Sequence, residues 1–131
     1  MVVGAMEVEL HVHASRSLKE KRSVIRSIVA RVRNEFNVAV AEVGGQDTWQ
    51  WAVLGMAAVG HDAGSVRAVL ERVVDFIESL HLAEVRDQSL AVLEGNLRDY
   101  EDDEDEAAGG EDEGGEDDDD DDDDDEPEIA Q

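Results

Sequence analysis

Residues 6–21 read Met6-Glu-Val-Glu-Leu-His-Val-His13-Ala-Ser-Arg-Ser17-Leu-Lys-Glu20-Lys21, and within this stretch the hydrophobic period changes. Met6, Val8, Leu10 and Val12 alternate with Glu7, Glu9, His11 and His13, the period of two that belongs to a strand with one buried and one polar face. Ser17 then stands three residues before Glu20, the spacing of a capping box that opens a helix. Leu18, Ile25, Ile28, Val29, Val32 and Phe36 continue at helical spacing, so an amphipathic helix is predicted from Ser17 to about Glu35. Lys19, Arg22, Arg26 and Arg33 fall on another face of it.

The same grammar repeats downstream. Val38 and Val40 begin a second strand running to about Val43, Gly44-Gly45-Gln46-Asp47 is turn chemistry, and a third strand runs from about Trp51 to Val59. So short a connection favours an antiparallel hairpin. Asp62 or Ser65 caps a second helix whose core face is Val66, Val69, Leu70, Val73, Ile77 and Leu80. A last strand lies between Glu84 and Leu93, where poor alternation suggests a bulge. The order βαββαβ, with right-handed crossovers, predicts a ferredoxin-like sandwich: four antiparallel strands with both helices on one face. The uncovered face then carries Glu7, Glu9, His11 and His13 from the first strand. From the third it carries Trp51, Val53, Gly55 and Ala57, if no bulge shifts the register.

Charge divides the chain. Of its 35 acids, 22 lie from Asp99 to Gln131, a stretch without Lys or Arg that includes an unbroken run of Asp from 117 to 125. Residues 1–98 hold the other 13 acids and all 11 bases and are almost neutral. Two parts are therefore expected, a folded domain over 1–98 and a disordered acidic tail over 99–131 that cannot bury enough surface to offset its ordering entropy. The absence of Cys excludes disulfides and thiolate metal sites. The N-terminus lacks a basic segment and a long apolar run, and no stretch approaches the roughly 20 apolar residues of a bilayer span, so the expectation is a cytoplasmic protein with no membrane partner.

Three segments, Ser15-Arg-Ser-Leu-Lys-Glu-Lys-Arg22, Phe36-Asn-Val38 and Glu42-Val-Gly-Gly-Gln-Asp-Thr-Trp-Gln50, resemble in order and spacing the YlxP-like family of small bacterial proteins. The likeness extends over about residues 1–95. It implies a ferredoxin-like fold and a tendency to dimerise, and genes of that family commonly lie beside translation initiation and ribosome-maturation factors. Trp51 stands where the family often has a basic residue, and the acidic tail lies outside the likeness.

Seven bases (Arg16, Lys19, Lys21, Arg22, Arg26, Arg31, Arg33) face one acid, Glu20, between residues 16 and 33. Such a helix suits phosphate contact, and Arg16, Lys19, Lys21, Arg22 and Arg26 are the expected contacts; the competing reading is an ordinary solvated helix face. Base stacking in the manner of RNA-recognition modules is not expected, because the first strand has no aromatic residue and the third offers only Trp51. His11 and His13 at i and i+2 are able to share a metal ion, but no third ligand is identifiable, so no metal site is assigned and no cofactor is expected. Trp49 has two readings. It is an exposed anchor for a partner, or it closes the end of the core while Asp47 caps the turn. With Trp51 it forms the candidate partner-binding pair.

A Ser15–His13–Glu42 trio can be drawn, but any domain of this size offers such sets, and there is no Cys nucleophile, Gly-rich phosphate loop or Ser-centred elbow. The expectation is a non-enzymatic homodimer that associates with RNA or a ribosomal subunit in translation or ribosome maturation. The alternative is a protein–protein adaptor or dimerisation module using the open sheet face. The tail is expected to contact the chain's own basic helix or basic proteins, or to serve solubility.

Overall fold

The structure, a computed structural model, describes residues 1–96. The expected acidic tail lies outside the described residues. Strand β1 (Val2–His11) sits at the centre of a four-stranded antiparallel sheet, paired on one side with β3 (Trp51–Gly60) and on the other with β4 (Glu84–Glu94). The edge strand β2 (Ala39–Gly44) pairs with β3 as a hairpin, which gives the order β2-β3-β1-β4. Helices α1 (Leu18–Glu35) and α2 (Ala63–Leu80) make the two crossovers. This is the ferredoxin-like α+β arrangement that the alternation and caps predict.

The strand runs longer than its alternation suggests. Val2 to Ala5 are apolar or small on both faces, so period two is silent there, yet they pair fully with Ala57–Gly60. Val2, Met6, Val8, Leu10 and Val12 from β1 and its extension, with Ala52, Leu54, Met56 and Ala58 from β3, form the sheet's contribution to the core. Ile25, Ile28 and Val32 of α1 and Val66, Leu70, Val73, Val74 and Ile77 of α2 supply the opposing layer. Gly4 permits the closest approach of the two layers, since a Cβ there would lie 2.5 Å from Val66 Cγ1 and 2.8 Å from Leu70 Cδ1.

Both helix starts are capped as their sequences indicate. Ser17 Oγ accepts from Glu20 N at 3.1 Å, while Glu20 Oε1 accepts from Arg16 N at 2.6 Å, one residue before the cap itself. Of the two candidate caps for α2 the structure uses Asp62, whose Oδ2 accepts from Ser65 N at 2.8 Å and Ser65 Oγ at 2.7 Å. In β4 the bulge lies at Arg86: Glu9 pairs with Asp87 and Leu10 with Val85, leaving Arg86 as the extra residue. Among the described residues no helix is long and apolar enough to cross a membrane.

Candidate functional site

The basic helix presents fewer cations than its sequence lists. Lys21 lies on the same stripe as Leu18, Ile25, Ile28 and Val32 and is fully buried. Its Nζ lies 3.1 Å from Glu42 Oε2 and donates to the carbonyls of Gly45 at 2.6 Å and Trp51 at 3.0 Å. The ammonium thus has two carbonyl acceptors and a carboxylate counter-charge, the pairing that lets a buried Lys be tolerated. Lys21 is therefore not a phosphate contact. It ties the start of α1 to the β2–β3 turn, where Gly45 takes the left-handed conformation (φ 77°) and Thr48 Oγ1 bonds both Gly45 O and Trp51 O. Arg33 is also engaged, donating from Nη2 to Val40 O and so covering part of the bare edge of β2.

What remains in solution is a stripe. Lys19, Arg22 and Arg26 are exposed, spaced by three and four residues along about 10 Å of helix axis. Among the described residues none of them has a carboxylate within the 4.0 Å of an ion pair. Arg16 is exposed just before the helix. The segment's one acid, Glu20, is spent on the cap.

The turn removes one of the two readings of Trp49. Trp49 is 47% exposed and does not close the core, and the turn's bonds come from Thr48 and Lys21 rather than from Asp47.

The uncovered sheet face is graded from end to end. Register places Val59, Val3 and Leu93 side by side, then an all-alanine row of Ala39, Ala57, Ala5 and Ala91. Next come Glu7 beside Gly55 and Ser89, and Glu9 beside Val53 and Asp87. The far end is aromatic and ionisable. His11 stacks on Trp51 with ring centres 4.5 Å apart and planes 12° from parallel, and the His13 ring lies 4.0 Å from His11. From β4, Glu84 Oε1 meets His13 Nε2 at 2.6 Å, and the Arg86 guanidinium lies 5.4 Å over the Trp51 ring and 3.4 Å from His11 Nδ1. The His13 hydrogen bond holds the Glu84 carboxyl below its ordinary value, with Arg86 adding to this and partial desolvation opposing it.

Sequence reading found Trp51, His11 and His13 but missed Glu84 and Arg86. Glu84 stands directly opposite His11 in the β1–β4 register, and the bulge turns Arg86 and Asp87 to the same face. Neither relation leaves a local mark in a strand of poor alternation.

A family model described as "Protein of unknown function (DUF503)" matches residues 3–90. The chain is 44% identical over 78 residues to the uncharacterized protein YlxP of Bacillus subtilis (strain 168), a stretch covering 60% of this chain and 85% of that protein. Among solved structures, the de novo designed protein Foldit4 superposes with a TM-score of 0.41 at 16% identity, over 72% of this chain and 98% of that one. The VAO-type flavoprotein MtVAO615 from Myceliophthora thermophila C1 does so with a TM-score of 0.46 at 13% identity, over 76% of this chain and 17% of that one. The family match takes in both helices, the buried Lys21–Glu42 pair and the turn it braces, and on that match this chain belongs to the DUF503 family.

Proposed function

We propose that this protein associates with structured RNA, in the setting of the ribosome or its maturation, through phosphate contacts from the start and outer side of α1. The observation that carries the reading is the exposed stripe of Lys19, Arg22 and Arg26, cations without an acidic partner among the described residues. Phosphate neutralisation needs cations that are solvated, unpaired and on one side of a rigid element, and it reads no sequence. The opposite layer is unsuited to RNA, since Glu7, Glu9, Asp87 and Glu84 would oppose a polyanion there.

The test is charge reversal in the full chain at Lys19, Arg22 and Arg26 together, read by co-sedimentation with ribosomal subunits and by binding to an RNA hairpin across a salt series. Loss of up to three phosphate contacts should weaken binding and flatten the dependence of log K on log salt by about 2 to 3. Unchanged affinity and slope would overturn the reading. Lys21 is unsuitable for this test, because its loss acts on folding.

A second reading has its own observation. The apolar end of the open face, with Val59 68% and Leu93 70% exposed beside the alanine row, favours a second copy of the chain as its cover.

A further inference from the structure

The end of the sheet where β1 meets β4 holds three potential metal donors on neighbouring backbone. His11, His13 and Glu84 each offer one ligand atom, and these atoms all lie within 4.8 Å of one another. We propose that His11, His13 and Glu84 form a binding site for a divalent transition ion of borderline softness, of which Zn²⁺ is the representative, with at least one coordination position left to water.

Three features of the geometry support the assignment. The donors are two imidazoles and a carboxylate, a set that suits zinc and its neighbours and not Mg²⁺ or Ca²⁺, which take oxygen cages. Their spacing is close to what the ion requires. Zinc bonds of about 2.0–2.2 Å in tetrahedral geometry put ligand atoms about 3.3–3.5 Å apart. His13 and Glu84, whose side chains are 62% and 49% exposed, are free to adjust to that spacing by side-chain rotation. Their backbones are held meanwhile. His11 and Glu84 are register partners on paired strands, and Val12 N bonds Gln50 O at 2.7 Å, so the strand-like path continues toward His13.

The surroundings orient the first ligand and leave room for the ion. Trp51 stacked on His11 sets the plane of that ring, the kind of outer contact that prepares a ligand. On the other side His13 and Glu84 line a cleft of about 580 Å³ that also receives Glu78, His81 and Leu82. Water and exchangeable ligands reach the site from there. Arg86 already brings positive charge to this place, 3.7 Å from Glu84 Oε1 and 3.4 Å from His11 Nδ1. An arriving ion must displace the guanidinium, and the Arg86 side chain, 44% exposed, is able to retreat into solvent. Arg86 is thus a built-in competitor, and its removal should strengthen binding.

The test uses the full chain, with Mg²⁺ in excess to occupy the many carboxylates of residues 99–131. Zn²⁺ is titrated calorimetrically while the imidazole resonances of the four His residues are followed by NMR. About one equivalent of Zn²⁺ should bind despite Mg²⁺, moving the signals of His11 and His13 most and leaving that of His61, which lies outside this cleft, in place. His13→Ala and Glu84→Gln, both surface changes, should each weaken binding at least about tenfold, and Arg86→Gln should tighten it several-fold. Binding that Mg²⁺ abolishes, that moves His61 or His81 instead, or that survives both ligand substitutions would overturn the proposal.

Discussion

A charged side chain on the buried stripe of a helix is costly unless every polar contact it loses to water is replaced. Lys21 offsets that cost with two carbonyl acceptors and the opposite charge of Glu42. Removing the ammonium alone strands the Glu42 carboxylate, whose side chain is only 19% exposed. Lys21→Met should therefore destabilise the protein by about 3 kcal/mol, measured by urea unfolding. Lys19→Met, on the exposed stripe, should change it by less than about 0.5 kcal/mol. The double change Lys21→Met with Glu42→Leu should recover most of the loss, because well-packed apolar groups replace a buried pair at little cost. Equal effects at positions 19 and 21 would contradict this role of Lys21. Lys21 was legible in principle, since 18, 21, 25, 28 and 32 follow the three–four spacing of the core stripe. Its charge drew it into the basic face instead.

At the level of elements, the caps convert local sequence into pH dependence. The Ser65 hydroxyl first, and its amide second, hold the Asp62 carboxyl below its ordinary value of 3.8. The folded-state value is thus the lower of the two. The cap's ionic contribution is fully present above the unfolded value and is lost as pH falls through the folded one. In Asp62→Asn, which keeps an oxygen acceptor but does not titrate, stability should fall less steeply than in wild type through that acidic window. Parallel pH–stability curves from thermal unfolding would show that Asp62 is not coupled to helix α2. The sheet behaves differently from the helices in what sequence reveals. Alternation identifies β1 and an apolar run after turn residues identifies β3, whereas the bulge at Arg86 breaks the alternation of β4 and decides which of its side chains reach the open face.

For the whole molecule, the two layers make opposite demands on salt. RNA binding through α1 should weaken as salt rises, since it depends on counterion release. Self-association through the open face should strengthen. Its apolar rows attract a second copy, while Glu7, Glu9 and Asp87 on the same face and a formal net charge of −24 repel it until screened. Sedimentation equilibrium of the full chain at micromolar concentration should show dimer, more of it at high salt. Val59→Glu and Leu93→Glu, at exposed positions, should shift the equilibrium to monomer without unfolding. A protein that stays monomeric in wild type at every salt concentration would remove the open face as a self-interface.

The order of elements, the cap of α1, the apolar faces and the hairpin follow from the sequence alone. They are local properties, set by periods of two and 3.6 and by residues a few positions apart. The tertiary structure decided which charges face water and which chemistry assembles. Lys21 turns inward to meet Glu42 across the sheet–helix boundary. His13 meets Glu84 across 71 residues, and Arg86 reaches His11 across 75. Those encounters depend on strand register and on one extra residue in β4, and a single-residue slip reverses the face of every side chain after it. Local periodicity carries no record of which strands pair or in what register, so the fold was readable in one dimension and the His–Glu–Arg cluster was not.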